Sequence, residues 1–348
     1  MRVFQLCAGA SAGGAEAAFV DFSLALAQTG VAVTPICRPH PVLVQRLRDG
    51  GLEPVTLPFG GLFDLKTKAA IKKLIREQQP QIVQSWMNRA AKFMPRASAK
   101  LPPFKSVARL GGYYKLKYYK GVDHFVTNTA DIKRYLVGEG IAENKVTHIN
   151  NFADLGTPGP AIDRASLNTP AEAFVFLTLS RLHPVKGLDV FLRALARLPS
   201  DTYGWIAGEG PERAKLEALV KELNLEDRVR FLGWRNDRGA LLEAADALVF
   251  PSRFEPFGNS FAQAWGAGCP LITTASEGPR QYVRDGQDAL LVPVDDEDGL
   301  TAAMTRLHSD PAYATALAKA GKARFEQEFT REACLAAYRN LYETLQKS

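Results

Sequence analysis

The sequence predicts an α/β protein with two domains, each built on a parallel β-sheet that helices cover on both faces. A chain of 348 residues exceeds what one hydrophobic core usually supports, so two domains are expected. Short apolar segments alternate with amphipathic ones in both halves, which is typical of parallel sheets. A stretch rich in proline, glycine and polar residues, 154–171, interrupts this alternation and is predicted to be an interdomain linker. We therefore predict domains over 1–153 and 172–329.

The individual strands are predicted from short apolar runs that end at turn-forming residues. In the first half these runs lie at 3–7, 32–36, 53–57, 82–84, 106–108, 124–127 and 145–149. Helical periodicity fills the gaps between them, most clearly at 16–28 and 66–77. In the second half the predicted strands are 174–179, 203–207, 229–232, 247–250, 271–273 and 289–292, and the predicted helices are 187–196, 211–223 and 241–244. The last ~50 residues are predicted to be helical, and a helix over about 330–348 closes the chain.

Composition excludes several classes of protein. Apolar residues make up 46% of the chain and charged residues 23%, as in ordinary globular proteins, and no apolar run approaches the ~20 residues that span a bilayer. We interpret the first 14 residues as a strand and a turn, with a signal peptide as the alternative. The four cysteines have no metal-like spacing and lie mostly in apolar segments, as expected of buried thiols in a reducing compartment. The five histidines are scattered, so no metal site is expected.

Positive charge is concentrated in the first half. Residues 1–155 hold 21 Lys and Arg against 11 Asp and Glu, whereas the remainder holds 22 against 26. Residues 78–122 contain no acid and carry nine bases, with aromatic side chains interleaved. Such a surface suits anionic lipid headgroups or a phosphorylated acceptor, and the plain alternative is a basic face that only contacts water. No nucleic-acid-binding motif accompanies these bases, so nucleic acid is not an expected partner.

The most informative segment runs from the predicted strand 247–250 through a loop with one acid, Glu255, into a helix that begins near Gly258. A helix start directs unpaired backbone N–H groups and the positive end of the helix dipole at the preceding loop, which suits a phosphate. Gln263 follows Glu255 by eight positions, slightly more than two helical turns, so it is predicted to face the same ligand. The alternative is an ordinary strand–helix connection whose acid is solvated.

The Glu-Pro-Phe-Gly sequence at 255–258 resembles the signature of retaining family 4 glycosyltransferases with the GT-B architecture. That family normally has a second Glu eight positions after the first, where this chain has Gln263. The resemblance implies two Rossmann-like domains that face each other across a cleft. It also implies that the first domain binds the acceptor, that the second binds a nucleotide-sugar donor, and that the C-terminal helix crosses back to the first domain.

Arg181 and Lys186 flank a turn after the first strand of the second half, where both can converge on one anionic group. Their spacing, Ser-Arg-Leu, three residues and Lys-Gly, matches a second motif of the same family, in which the Arg and Lys bind the donor diphosphate. The resemblance implies a catalytic role for Arg181, Lys186 and Glu255: the cations stabilise the leaving diphosphate and Glu255 orients the donor sugar. Gln263 is expected to contact the ribose.

Further donor contacts are expected at turns that follow predicted strands. Gly13 and Gly14 open the first helix and would let a phosphate approach the backbone closely, although they also suit a plain tight turn. Trp234 is predicted either to stack on the nucleotide base or to be a core aromatic. The remaining predicted donor contacts are backbone groups at Gly208, Gly258, Asn259 and Ser260.

The acid-free stretch ends with a Gly-Gly turn and a run of tyrosines and lysines, which resembles glycosyltransferases that build bacterial lipopolysaccharide or related surface glycans. The turn is expected to present its neighbours to the acceptor or the membrane, and a turn needed only for folding is the alternative. The candidate acceptor or membrane contacts are Arg109, Gly112, Tyr113, Lys115 and Lys117.

The implied reaction is transfer of a sugar, with retention, from a nucleoside-diphosphate sugar to a hydroxyl of an anionic or lipid-linked glycan. No metal or other cofactor is expected, because fixed cations and a helix start can stabilise the leaving diphosphate. The alternatives are an epimerase or hydrolase that acts on nucleotide sugars, and a non-catalytic glycan-binding or lipid-binding protein. We expect a cytoplasmic protein that contacts the inner face of the bacterial cytoplasmic membrane.

Overall fold

The computed structural model of the chain describes residues 1–9, 14–61, 64–153, 155 and 159–347. These residues form two compact units. The first consists of Met1–Asn151 together with the end of the chain from Arg331, and the second of Phe152–Thr330.

The first unit contains a parallel sheet with strand order β3-β2-β1-β4-β5-β6-β7. Its strands are β1 (Arg2–Cys7), β2 (Ala32–Cys37), β3 (Val55–Thr56), β4 (Ile82–Trp86), β5 (Lys105–Leu110), β6 (His124–Thr127) and β7 (Val146–His148). The helices are α1 (Gly14–Gln28), α2 (Pro41–Asp49), α3 (Leu65–Gln78), α4 (Met87–Ala91), α5 (Ala130–Gly138) and α13 (Arg331–Lys347). Every residue of β4 and β6 is buried, as expected of strands with helices on both faces.

The second unit repeats this design with strand order β10-β9-β8-β11-β12-β13, again all parallel. Its strands are β8 (Phe174–Leu179), β9 (Thr202–Ala207), β10 (Val229–Gly233), β11 (Ala247–Phe250), β12 (Leu271–Thr274) and β13 (Leu290–Val292). The helices are α6 (Leu188–Ala196), α7 (Arg213–Glu222), α8 (Arg238–Ala244), α9 (Asn259–Ala267), α10 (Pro279–Tyr282), α11 (Glu297–Ser309) and α12 (Pro311–Glu328). The prediction of an α/β fold with parallel sheets is confirmed.

Several helices begin where a short polar side chain caps the first turn. Asp64 Oδ1 accepts a hydrogen bond from Thr67 N at 2.9 Å, and Asp296 Oδ1 accepts one from Gly299 N at the same distance. Each cap satisfies an amide that the helix itself leaves without a partner. Asp296, within the acidic run 295–298, therefore defines the start of α11.

The segment 154–171, predicted to be a linker, is packed on the second unit in its described part. The Arg164 guanidinium donates to Ala244 O at 3.0 Å and to Ala173 O at 2.6 Å, and it pairs with Asp246 Oδ2 at 2.9 Å. The residues around Arg164 therefore pack as part of the second unit. Their composition suggests a linker, because proline and glycine also occur in chain that packs without regular structure.

Helix α13 packs on the first unit through a buried polar cluster. The Tyr342 hydroxyl donates to Gln84 Oε1 at 2.8 Å, and Gln5 Oε1 accepts from Trp86 Nε1 at 2.7 Å and from Gln84 Nε2 at 3.1 Å. Tyr342 is fully buried, and burial raises its pKa well above the ordinary value. The cluster therefore connects α13 to the two central strands β1 and β4. None of the helices in the described part of the chain is long and apolar enough to cross a membrane.

Replacing Tyr342 with phenylalanine should destabilise the chain. The change leaves Gln84 Oε1 buried without its donor, which costs about 1–3 kcal/mol of unfolding free energy. The urea unfolding midpoint should fall accordingly. The Tyr118→Phe variant is the control, because the Tyr118 hydroxyl makes no hydrogen bond to the described residues and its loss should change little. Equal midpoints for Y342F and the unmodified chain would show that the cluster does not stabilise the packing of α13.

Candidate functional site

The topology of the second unit indicates where a ligand binds. In a doubly wound parallel sheet, ligands bind beyond the carboxyl ends of the strands, at the point where the strand order reverses. Here the chain builds β8, β9 and β10 toward one edge and then returns to place β11 on the other side of β8. The reversal therefore lies between β8 and β11. The residues that follow these two strands include Arg181, Lys186 and Glu255.

Lys186 and Glu255 form an ion pair at this point. Lys186 Nζ lies 2.5 Å from Glu255 Oε2, and the two side chains are 15% and 19% exposed. Lys186 Nζ also lies 5.7 Å from the centre of the Phe250 ring, at the end of β11. The structure thus brings together two residues that lie 69 positions apart in the chain. In the structure, each of these opposite charges neutralises the other.

Arg181 is the other predicted cation, and it is exposed. Its guanidinium has no hydrogen bond or ion pair with any residue that the structure describes. Its planar fork of donors is therefore available to an anion.

The loop after β12 holds the backbone of Glu255. Gly278 N donates to Glu255 O at 2.7 Å, and Glu255 N donates to Glu277 Oε2 at 3.4 Å. The backbone N–H and C=O of Glu255 therefore both have hydrogen-bond partners from this loop, independently of the side chain. Glu277 was not a predicted site residue. The only indication of Glu277 in the sequence is its position three residues after the strand β12.

Helix α9 begins at the same edge of the sheet, and no side chain in the described part of the chain caps its first turn. Gly258 occupies the cap position with φ 94°, and a Cβ there would lie 2.9 Å from the Phe250 ring. Ser260 Oγ donates to Leu179 O at 2.9 Å, which ties the helix start to the end of β8. Asn259 is exposed. The predicted helix start is confirmed within one residue, and the positive end of the helix dipole lies beside the ends of β8 and β11.

Three buried hydroxyls near these strand ends have no hydrogen-bond partner among the described residues. They are Ser180 Oγ after β8, Ser252 Oγ after β11 and Ser276 Oγ after β12. A buried hydroxyl without a partner costs about 1–3 kcal/mol, so three of them at one edge represent unused hydrogen-bonding capacity. Sequence reasoning did not select them. Their signal was a serine one or two positions after a buried apolar strand.

Gly208 ends β9 against the turn that follows β8. Its φ is 152°, and a Cβ would lie 1.9 Å from Ser180 O. Only glycine therefore fits, and the two strand ends approach each other closely. The predicted position of Gly208 at a strand-to-helix turn is confirmed, while a contact between Gly208 and a ligand stays a prediction.

The structure chooses between the two predicted placements of Trp234. The side chain is 65% exposed and donates from Nε1 to Asn236 Oδ1 at 3.2 Å. The alternative of a core aromatic is therefore wrong, and the ring is available for stacking.

The prediction that Gln263 and Glu255 lie about two turns apart on one helix was wrong. Helix α9 starts at Asn259, so Glu255 lies in the loop and the eight-residue spacing does not measure turns of one helix. Gln263 lies one turn into α9, is 4% exposed and is engaged by neighbouring groups. A contact between Gln263 and a ribose stays a prediction.

The predicted residues of the first unit differ in how exposed they are. Gly14 is the first residue of α1, and Gly13 lies outside the described residues. Tyr113 is 43% exposed, and its hydroxyl donates to Asp131. Gly112 is half-buried, whereas Lys115 and Lys117 are exposed.

Arg109 requires a correction, because the Gly-Gly turn does not present it. Strand β5 continues to Leu110, two residues beyond its predicted end, so Arg109 lies within the sheet and is 3% exposed. Its guanidinium lies 4.3 Å from the centre of the Trp86 ring and donates to Asn151 Oδ1. An aromatic face and a side-chain amide compensate the buried charge. Arg109 therefore stabilises the first unit from within and is not an exposed acceptor contact.

The prediction of buried thiols is confirmed. Burial raises the pKa of Cys7, Cys269 and Cys334 to about 12 and that of Cys37 to about 11, so all four are protonated at neutral pH. Among the described residues, no group of three or more His, Cys, Asp or Glu side chains is placed to hold a metal ion.

Comparisons with known proteins agree with these features. Residues 161–324 match the model of group 1 glycosyl transferases, and residues 12–157 match that of glycosyltransferase family 4. The chain is 34% identical to LpsE of Rhizobium meliloti (strain 1021), a lipopolysaccharide core biosynthesis glycosyltransferase, over 94% of this chain and 95% of LpsE. It is 36% identical to LpsD of the same organism, which has the same description, over 99% of this chain and 98% of LpsD.

Among solved structures, the Anabaena protein HepE in complex with UDP-glucose matches with a TM-score of 0.84. The sequences are 20% identical, and the match covers 100% of both chains. The two Rossmann-like units of this chain thus have the GT-B fold.

The Gly208→Ala variant should be destabilised. The added methyl group would force the ends of β8 and β9 apart and would hold a strained φ, which together cost about 1–3 kcal/mol. Thermal unfolding measures the loss as a lower midpoint. Gly138→Ala is the matched control, because a Cβ at this exposed helical position has no atom within 4 Å. If both variants unfold at the same temperature, the close approach at Gly208 is not needed for stability.

Proposed function

Because this chain belongs to the group 1 and family 4 glycosyltransferases, we propose that it transfers a sugar from a nucleoside-diphosphate sugar to a lipopolysaccharide-type glycan, with retention. The observation that carries the proposal is the set of groups at the β8–β11 reversal. Lys186 is paired with Glu255 there. Among the residues that the structure describes, Arg181 has no partner and no side chain caps the start of α9. These are the groups that sugar transfer from a diphosphate requires.

The chemical problem in this reaction is the charge on the leaving group. As the bond between the anomeric carbon and the diphosphate breaks, negative charge builds up on the diphosphate oxygens. Preorganised cations and amide donors lower the barrier because they bind this charge more tightly than that of the substrate. Arg181 supplies a guanidinium fork, Lys186 an ammonium group, and α9 the amides of its first turn. With these groups the proposed transfer needs no metal.

The ion pair gives Lys186 two tasks. An ammonium group has three donors, so Lys186 can bind a phosphate oxygen while it keeps a hydrogen bond to Glu255. The carboxylate of Glu255 can accept hydrogen bonds from sugar hydroxyls while it keeps this contact. We therefore infer that Lys186 links the diphosphate contact to the sugar contact and that Glu255 positions the sugar. The hydroxyls of Ser180, Ser252 and Ser276 lie near the same strand ends and add hydrogen-bonding capacity there.

A UDP-sugar is the donor to test first, since HepE shares the fold and was solved with UDP-glucose. The exposed Trp234 ring is the proposed stacking surface for the base, and Gln263 the proposed contact to the ribose. The acceptor is inferred from LpsE and LpsD, whose names place them in lipopolysaccharide core biosynthesis. Exposed lysines of the first unit, Lys115 and Lys117 among them, suit an anionic glycolipid at the cytoplasmic face of the membrane.

The Lys186→Ala variant should lose about 100-fold or more in transfer rate, the scale of removing one charge-stabilising donor. The assay follows transfer from UDP-sugars to lipopolysaccharide core from a strain that lacks this protein. Lys215→Ala is the control, because Lys215 is an exposed lysine of the same unit that pairs with Glu212. Near-normal turnover of K186A would contradict the diphosphate role. Release of free or isomerised sugar without acceptor would instead identify a hydrolase or an epimerase.

The Gln263→Glu variant tests the ribose contact. A carboxylate accepts charge-assisted hydrogen bonds worth about 1.5–3 kcal/mol, against about 1 for a neutral amide, so UDP should bind more tightly or equally well in calorimetry. Without UDP the variant should unfold at a lower temperature, because Gln263 is 4% exposed and a buried carboxylate is costly. The exposed Gln287→Glu change is the control and should alter neither quantity. A large loss of UDP affinity in Q263E would show that Gln263 has a different partner.

A further inference from the structure

A cavity of about 600 Å³ lies in the first unit, between the segments 116–122 and 140–145, with Phe125 at its wall. The first segment precedes strand β6 and the second precedes β7. Because all strands of this sheet are parallel, the cavity lies at the amino ends of its strands. Ligands of doubly wound sheets bind at the carboxyl ends. This cavity, named here the amino-edge pocket, is therefore separate from any acceptor site at the carboxyl ends of the same sheet.

Three lysines give the amino-edge pocket its charge. Lys117, Lys120 and Lys145 line it, all three are exposed, and no Asp or Glu is part of the lining. None of the three forms an ion pair with any residue that the structure describes. Glu143, which lies in the segment 140–145 but does not line the pocket, pairs instead with the half-buried Lys133 at 3.1 Å. Three unneutralised ammonium groups around one cavity attract an anion.

The wall between the lysines is apolar. Tyr119 and Phe125 pack against each other with ring centres 6.1 Å apart, and Val122 and Ile141 complete this surface. A small inorganic anion would use the lysines and leave the apolar wall in contact with water. A lipid headgroup would use both, because its phosphate meets the ammonium groups and its glycerol and first methylenes cover the wall.

We propose that the amino-edge pocket binds the phosphate headgroup of an anionic phospholipid and docks the first unit on the membrane. This site rests on the membrane contact proposed above and places that contact in one cavity instead of a diffuse basic stretch. Lys117, Lys120 and Lys145 would bind the lipid phosphate. The segment 140–145, which lies outside the acid-free stretch, would contribute to the site as well.

Vesicle co-sedimentation of the full chain tests the proposal. The chain should bind vesicles of phosphatidylcholine that contain phosphatidylglycerol, and not vesicles of phosphatidylcholine alone. The double variant Lys120→Ser/Lys145→Ser should bind about tenfold more weakly. Lys68→Ser/Lys100→Ser removes the same charge from exposed lysines outside the pocket and should retain most of the binding. Equal losses in both double variants would overturn the proposal, because a diffuse basic surface would then explain the binding.

A second pair of variants separates the cavity from its charge. Ala142→Phe fills the pocket from an exposed lining position without altering charge, and it should weaken vesicle binding. Ala99→Phe adds the same ring at an exposed position away from the pocket and should not. Unchanged binding by A142F would overturn the proposal. So would binding of inorganic phosphate without any binding to vesicles, because the ligand would then be the free anion.

UDP calorimetry on the same variants distinguishes this inference from the proposed function. Unchanged UDP binding by the pocket variants, with unchanged unfolding midpoints, shows that they fold and supports a separate site. A chain that docks on vesicles through the pocket but binds no UDP-sugar would contradict the proposed donor and still support this inference. Loss of UDP binding in every pocket variant would overturn it, since the pocket would then be a structural element of the whole chain.

Discussion

Parallel pairing of β8 with β11 is the constraint on which the candidate site depends. Residues that follow β8 and residues that follow β11 are about 70 positions apart in the chain, and only their shared edge brings them together. At that edge the backbone leaves carbonyl and amide groups without strand partners, and the start of α9 adds a positive dipole end. Small residues are needed because the turns approach each other closely. Gly208 and Gly258 lie at such points, and a Cβ on either would contact a neighbouring atom at 2.9 Å or less.

The ion pair between Lys186 and Glu255 couples the two halves of the proposed donor contact. Both side chains are largely buried, so each would be costly without the other. A diphosphate that approaches Lys186 adds a second anion to one ammonium group, and a sugar that donates to Glu255 withdraws part of its charge. The two contacts therefore favour each other. Arg181, which has no partner within the described residues, can bind the diphosphate without breaking any contact.

The parallel sheet of the first unit separates the residues of the basic stretch 78–122 between its two edges. Arg109 lies within β5, where the Trp86 ring and the Asn151 side-chain amide compensate its buried charge. Tyr113 lies just beyond the carboxyl end of that strand. Lys117 lies on the return toward the amino end of β6, beside a cavity. A run of bases that looks continuous in the sequence thus serves one structural purpose and supplies two separate surfaces. Charge counts alone could not separate them, because they contain no information on which edge of a sheet each residue reaches.

The sequence by itself determined the fold class, most strands and the two donor motifs. Apolar alternation and glycine-rich turns are local signals, so β6, β8 and β11 were predicted at their observed bounds. It could not find the serine hydroxyls, the contact of Glu277 or the place of Arg109, because these depend on groups that only the sheet brings together. The eight-residue spacing from Glu255 to Gln263 did not measure helical turns, because Glu255 lies in the loop before α9. Local pattern determined which elements form and which motifs they carry. Tertiary structure decided which charges meet, since contacts between distant residues arise only when strands pair and helices pack.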